Sequence, residues 1–231
     1  MNIDLYVGTL TRYYSCDWQS SRSRPGDPSP FGPQQATGIA VTDPVEIQGI
    51  IAEWLEQASL KLKDHLKEPL AWREGMLPPH FTGEVSVPGY GGAVLLAAYT
   101  ANPQLPRPIS FMKIWNNDPA VDASLKAEKK DPVWEIMNCG IWYPVNFQFG
   151  IGMKDPAGQA IKAGSIELLW NALEYLNEAN WGASPTDIAG WRARKLAETD
   201  TFETQAQFGY AVFYEMCRLA REHRLPMKLH Y

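Results

Sequence analysis

Apolar positions along this chain follow two rhythms. One has a period of two. Ile3, Leu5, Val7 and Thr9 alternate with Asp4, Tyr6 and Gly8, and Val145, Phe147, Phe149 and Ile151 alternate with Asn146, Gln148 and Gly150. That alternation is the mark of strands burying one face, so strands are expected over 2–12 and within 131–152. The other rhythm is helical. Ile47, Ile50, Ile51, Trp54, Leu55, Ala58, Leu62 and Leu66 recur at helix spacing behind Asp43-Pro44-Val45-Glu46. That tetrapeptide supplies a cap, a first-turn proline and the acid of a capping box, which predicts a helix to about Lys67. Ile166, Leu169, Trp170, Leu173 and Leu176 predict another over 164–180. Ser184-Pro185 opens a third, with Ile188, Trp191 and Leu196 facing inward. Asp200-Thr201-Phe202-Glu203 opens the last, which runs to about Arg224 before Pro226. Met227–Tyr231 reads as a short final strand.

The segments between are less regular. Ala93–Tyr99 is uniformly apolar, so periodicity does not choose between helix and strand, although Ala and Leu favour helix. Residues 68–90 read as loop with a short helical turn at 70–75. Ile109, Phe111 and Ile114 suggest a strand that ends at the Trp115–Pro119 turn, and 120–130 reads as a surface helix or a loop. Residues 19–37 hold four prolines and two glycines with no apolar period. A long flexible loop is expected there.

These elements predict an α+β fold of one domain. Its mixed or antiparallel sheet would be covered by the helices at 44–66, 164–180 and 201–224. Regular β-α-β alternation with glycine-rich turns is missing, which argues against a dinucleotide fold. The stretch 131–152 looks like the organising centre, because it carries Trp134, Trp142, Tyr143, Phe147 and Phe149 around an Asn138-Cys139-Gly140 break. Each ring buries roughly 150–250 Å².

Charge narrows the classes of function. A net charge of −5 and a pI near 5.4 argue against general nucleic-acid affinity. Three separated cysteines, Cys16, Cys139 and Cys217, suggest reduced thiols and a cytoplasmic setting. The first residues lack a signal-peptide pattern, and no apolar run approaches the roughly 18 residues of a membrane span.

Candidate chemistry is sparse. Cys139 sits in a turn, and His80 is the one histidine considered as its base. Asp17 beside Trp18, and Glu135 beside Trp134, are the two acids with apolar neighbours that acid–base work would need. Gly89-Tyr90-Gly91-Gly92 is the nearest approach to a phosphate cradle, but it lacks the Lys-Ser/Thr of a P-loop. No metal spacing is present and no cofactor is expected. The remaining constellation is aromatic: Tyr13, Tyr14 and Trp18 after the first strand, and Trp142 and Tyr143 beside the Cys139 turn. If those strands pair, the rings could share one end of the sheet and receive a partner protein or a flat ligand. The leading expectation is therefore a soluble protein that binds another macromolecule, for example a toxin-neutralising or accessory protein. The alternatives are a hydrolase or transferase using Asp17, Glu135, His80 or Cys139, and a carbohydrate or small-ligand module using Trp18 and Trp142.

Overall fold

A computed structural model describes residues 2–19, 43–66, 69–110, 115–197 and 200–230. The chain begins with β1 (Asn2–Val7), α1 (Leu10–Tyr14) and α2 (Pro44–Leu62), then β2 (Phe81–Ser86) and α3 (Val87–Ala101). A 3-10 turn at Trp115–Asn117 leads into α4 (Pro119–Lys126) and α5 (Pro132–Met137). The second half holds β3 (Ile141–Tyr143), β4 (Ile151–Lys154), β5 (Ala160–Ser165), α6 (Ile166–Asn180), α7 (Pro185–Arg192), α8 (Phe202–His223) and β6 (Met227–His230).

The expected α+β class holds. The described strands form one six-stranded sheet of order β2-β1-β6-β3-β5-β4. Every pairing in it is antiparallel except β3 with β5, so the sheet is mixed.

Helices cover both faces, and the strand alternation assigns side chains to them. Ile3, Leu5 and Val7 of β1, Trp142 of β3, and Met227 and Leu229 of β6 join the core built with α3, α5, α6 and α8. Tyr6, Ile141 and Tyr143 point the other way, into a second core with Tyr13 and Tyr14 of α1 and Ile47 and Ile51 of α2. Polar residues of the strands thus face a covered layer too. Asp4 and Lys228 are buried for that reason.

Helix starts follow local chemistry. Asp43, Ser86, Asp118, Asp131, Ser165, Ser184 and Thr201 each cap a helix with a side-chain oxygen. The expected helices at 44–67, 164–180, 184–196 and 201–224 appear with ends shifted by a few residues, as does the final strand.

Five expectations are corrected. Residues 9–12 are not strand, because Thr9 Oγ1 accepts from the Arg12 amide and starts α1. Residues 132–137, which carry Glu135, are helix, because Asp131 Oδ1 accepts from Val133 and Trp134. Residues 145–148 alternate in burial, and none of 145–150 joins the ladder, so the pattern reports a half-buried path and not strand pairing. Residues 70–75 hold no helical turn, and 81–90 are β2 and the start of α3 rather than loop. Gly89-Tyr90-Gly91-Gly92 lies inside α3. Gly89 and Gly92 serve packing against α8 there, since a Cβ on Gly92 would stand 2.7 Å from the Ala206 amide nitrogen and one on Gly209 of α8 only 1.9 Å from the Gly89 carbonyl oxygen. Residues 20–37 of the expected loop, and Phe111 and Ile114 of the expected strand, lie outside the described residues. Ser110 forms a single bridge to Thr201.

Candidate functional site

The four groups named for catalysis fall into two separate pairs. Asp17 is exposed and pairs with Arg12 Nη1 at 2.5 Å. His80 lies near it, its ring 6.4 Å from that of Tyr6, and burial followed by the Arg12 charge pulls its pKa down. Glu135 pairs with Lys162 of β5 at 3.4 Å. Cys139 points its thiol at the Glu135 carbonyl oxygen, 3.5 Å away, and burial pushes that thiol up to about 12. No contact among the described residues joins the two carboxylates or brings His80 to Cys139.

The five aromatic candidates divide by sheet face. Trp142 is fully buried on the α8 side, where its indole N–H donates to the Ile136 carbonyl at 2.9 Å and its ring meets Phe213 edge-on. Tyr143 is fully buried on the opposite face, stacked on Trp72 at 5.4 Å. Tyr13, Tyr14 and Trp18 do gather. Trp18 is half-buried and lies parallel to Tyr13 at 5.5 Å, with its indole N–H on the Tyr13 carbonyl.

Tyr13 and Tyr14 also line a cleft of about 340 Å³. Its wall is built from Tyr13 and Tyr14 of α1, Asp155 and Gln159 of the β4–β5 turn, and Lys228 and His230 of β6. The turn is local chemistry. The Asp155 amide donates to Gln159 O, the Gly158 amide donates to Asp155 O, and Asp155 Oδ1 accepts from the Gln159 amide. Gly158 sits at φ +80°, a conformation that favours glycine. This arrangement aims Asp155 Oδ2 into the cleft. There it accepts from Tyr14 Oη at 2.7 Å and from Lys228 Nζ at 3.1 Å. The ammonium also lies over the rings of Tyr13 and Tyr14, 5.3 and 5.7 Å from their centroids. Tyr13 Oη and His230 Nδ1 are 2.9 Å apart.

The electrostatics follow from depth. The ion pair is 8% and 3% exposed at its two side chains. Burial lowers the Lys228 pKa, while Asp155 acts in the opposite direction. Tyr13, Tyr14 and Tyr143 are all raised, first by burial and next by the Asp155 charge. All three phenols therefore keep their protons at neutral pH.

Of these six wall residues, the sequence singles out Tyr13 and Tyr14. Asp155, in Asp-Pro-Ala-Gly, carries no signal in the sequence beyond that of a turn, and Lys228 and His230 sit at the positions of β6 that alternation gives to solvent. The one available signal was the covered second face. A cation opposite Tyr6 in the ladder, as Lys228 is, has no water to face. Among the described residues, no three His, Cys, Asp or Glu side chains are grouped to hold a metal ion, and no helix is long and apolar enough to cross a membrane.

Comparison with family models, with curated proteins and with solved structures finds no match to this chain.

Proposed function

We infer that this protein acts by binding a partner macromolecule without covalent chemistry, and that the cleft over Lys228 and Asp155 is the anchor pocket for one of the partner's side chains. The observation that carries this reading is the state of the groups in the cleft. Asp155 is satisfied by Tyr14, Lys228 and the Gln159 amide, and the phenols hold their protons firmly. Groups held this way recognise a ligand better than they move a proton, because a general acid or base works best with a pKa near the operating pH. The cavity is at the small end of ligand sites, which suits one inserted group. Trp18, packed on Tyr13 and His230 of the wall, is a residue type enriched among interface hot spots. A net charge of −5 favours a basic partner, as a toxin-neutralising or accessory role would require. The concavity of the site also favours a second reading, in which a small polar ligand takes the place of the partner's side chain.

The test is a photo-crosslinking amino acid in place of Gln159, at the cleft rim, in the native host cells. One discrete protein adduct is expected, lost in the Lys228→Met background. Adducts identical to those from the same probe at exposed Glu178 on α6 would refute the reading. Loss of all protein adducts, with a small molecule retained on the purified chain, would select the second reading.

A further inference from the structure

The polar groups of the cleft have unequal capacity left. Asp155 already accepts three hydrogen bonds, from the Gln159 amide, the Tyr14 hydroxyl and Lys228, out of about four that a carboxylate can take. Lys228 has not spent its donors. An ammonium carries three N–H groups, and among the described residues Asp155 is the one acceptor hydrogen-bonded to this ammonium. Next to it, the Tyr13 ring lies under the charge and its oxygen is within reach of the same cavity. The Tyr13 hydroxyl is already engaged with His230 Nδ1 at 2.9 Å, and a phenol oxygen in one such bond can still accept another. The wall therefore presents N–H donors with an acceptor oxygen beside them.

Charge then selects among groups that fit this pattern. Lys228 and Asp155 together are neutral. A carboxylate brought to Lys228 would share a single ammonium with Asp155, and two like charges would stand close in a cleft largely shielded from water. A guanidinium or ammonium would meet the Lys228 charge directly. An uncharged group with one carbonyl and one N–H avoids both penalties. Resting on the reading of the cleft as a recognition site, we propose that it takes a carboxamide, with the carbonyl oxygen on Lys228 Nζ and an amide N–H on Tyr13 Oη. On a partner protein this group is the side chain of Asn or Gln.

Propionamide, propionate and ethylguanidinium separate the possibilities, since they are similar in size and differ in charge. Each is titrated into the ¹⁵N-labelled full chain while the amide signals of Gly140, Ala160 and Leu229, all in the cleft wall, are followed. Propionamide shifts these signals saturably, and the two ions bind at least about tenfold more weakly. Lys228→Met abolishes the response. Tyr13→Phe keeps the ring and the ion pair, and it weakens propionamide while leaving propionate unchanged; this variant carries the test if Lys228→Met loses the native spectrum. Tighter binding of propionate or ethylguanidinium, or a Tyr13→Phe variant that binds propionamide as the parent does, overturns the carboxamide assignment and leaves the cleft as a recognition site. If none of the three fragments moves these amides, the assignment and the recognition site both fall.

Discussion

Consider the exchange of Lys228 for Met, of Asp155 for Asn, and of both together. Removing one partner of a buried ion pair leaves the other charge without compensation and costs about 3–5 kcal/mol. Asp155 would still accept from Tyr14 and from the Gln159 amide after Lys228→Met, so the lower end applies, about 3 kcal/mol. After Asp155→Asn the ammonium is left nearly as buried with no counterion, although burial already lowers its pKa and deprotonation limits the loss. That again is about 3 kcal/mol. The double variant leaves neither charge of this pair buried, and it should cost about as much as either single change. The coupling between the two sites is then roughly 3 kcal/mol, the upper part of the range for contacting residues. Urea unfolding followed by tryptophan fluorescence reads this directly. Each single variant moves the midpoint down by about 1 M at a slope near 3 kcal/mol/M, and the double moves it no further. Single effects that simply add, within about 0.5 kcal/mol, would mean that the two residues do not form a working pair.

Other outcomes follow from the same geometry. Gly209→Ala drives a methyl into the Gly89 carbonyl at the α3–α8 contact and destabilises by about 3 kcal/mol or more, whereas Gly49→Ala, with open space around it in α2, stabilises by roughly 0.5–1 kcal/mol; unfolding midpoints of the pair check the contrast. A thiol reagent labels exposed Cys16 in the native protein and reaches buried Cys139 and Cys217 only in denaturant, because burial pushes both thiols up, Cys139 to about 12; rapid native labelling of all three thiols would contradict the described core. Alkaline pH should weaken the fold. Tyr6, Tyr13, Tyr14, Tyr143 and Tyr210 have folded pKa values above their unfolded one. The folded state then holds more protons than the unfolded state above about pH 10, and stability falls as pH rises from there. Lys228 has the opposite sign. Its lowered folded pKa means the unfolded state holds the extra proton, so its contribution grows as pH climbs toward the ordinary lysine value. Five tyrosines outweigh one lysine, and stability that increases from pH 9.5 to 11 (about the window these shifts define) would contradict the burial of the phenols.

Much of the architecture was legible in the chain itself. The helices at 44–62, 166–180, 185–192 and 202–223 announce themselves through caps, first-turn prolines and apolar stripes, which are local chemistry read over a few residues. The α+β class followed from those helices and two alternating stretches. What the local pattern misassigned was decided by neighbours distant in sequence. Val145–Gly150 alternates as a strand does, but β5 pairs with β3 and β4 on either side of it, and it takes no place in the ladder. The glycines of α3 looked like a loop until α8 packed against them closely enough to exclude a Cβ.

The same division runs through the site. That Tyr13, Tyr14 and Trp18 gather at the end of β1 follows from their spacing in one short segment. That Trp142 and Tyr143, adjacent in sequence, enter opposite cores follows from strand geometry once helices cover both faces. The pairing of Lys228 with Asp155 belongs to tertiary structure alone. The two residues are 73 positions apart, one in a terminal strand and one in a hairpin turn. A period-two pattern tells which way a side chain points but not what lies over that face. Here the second face is roofed by α1 and α2, so positions that alternation assigns to water became a buried, charge-paired cleft.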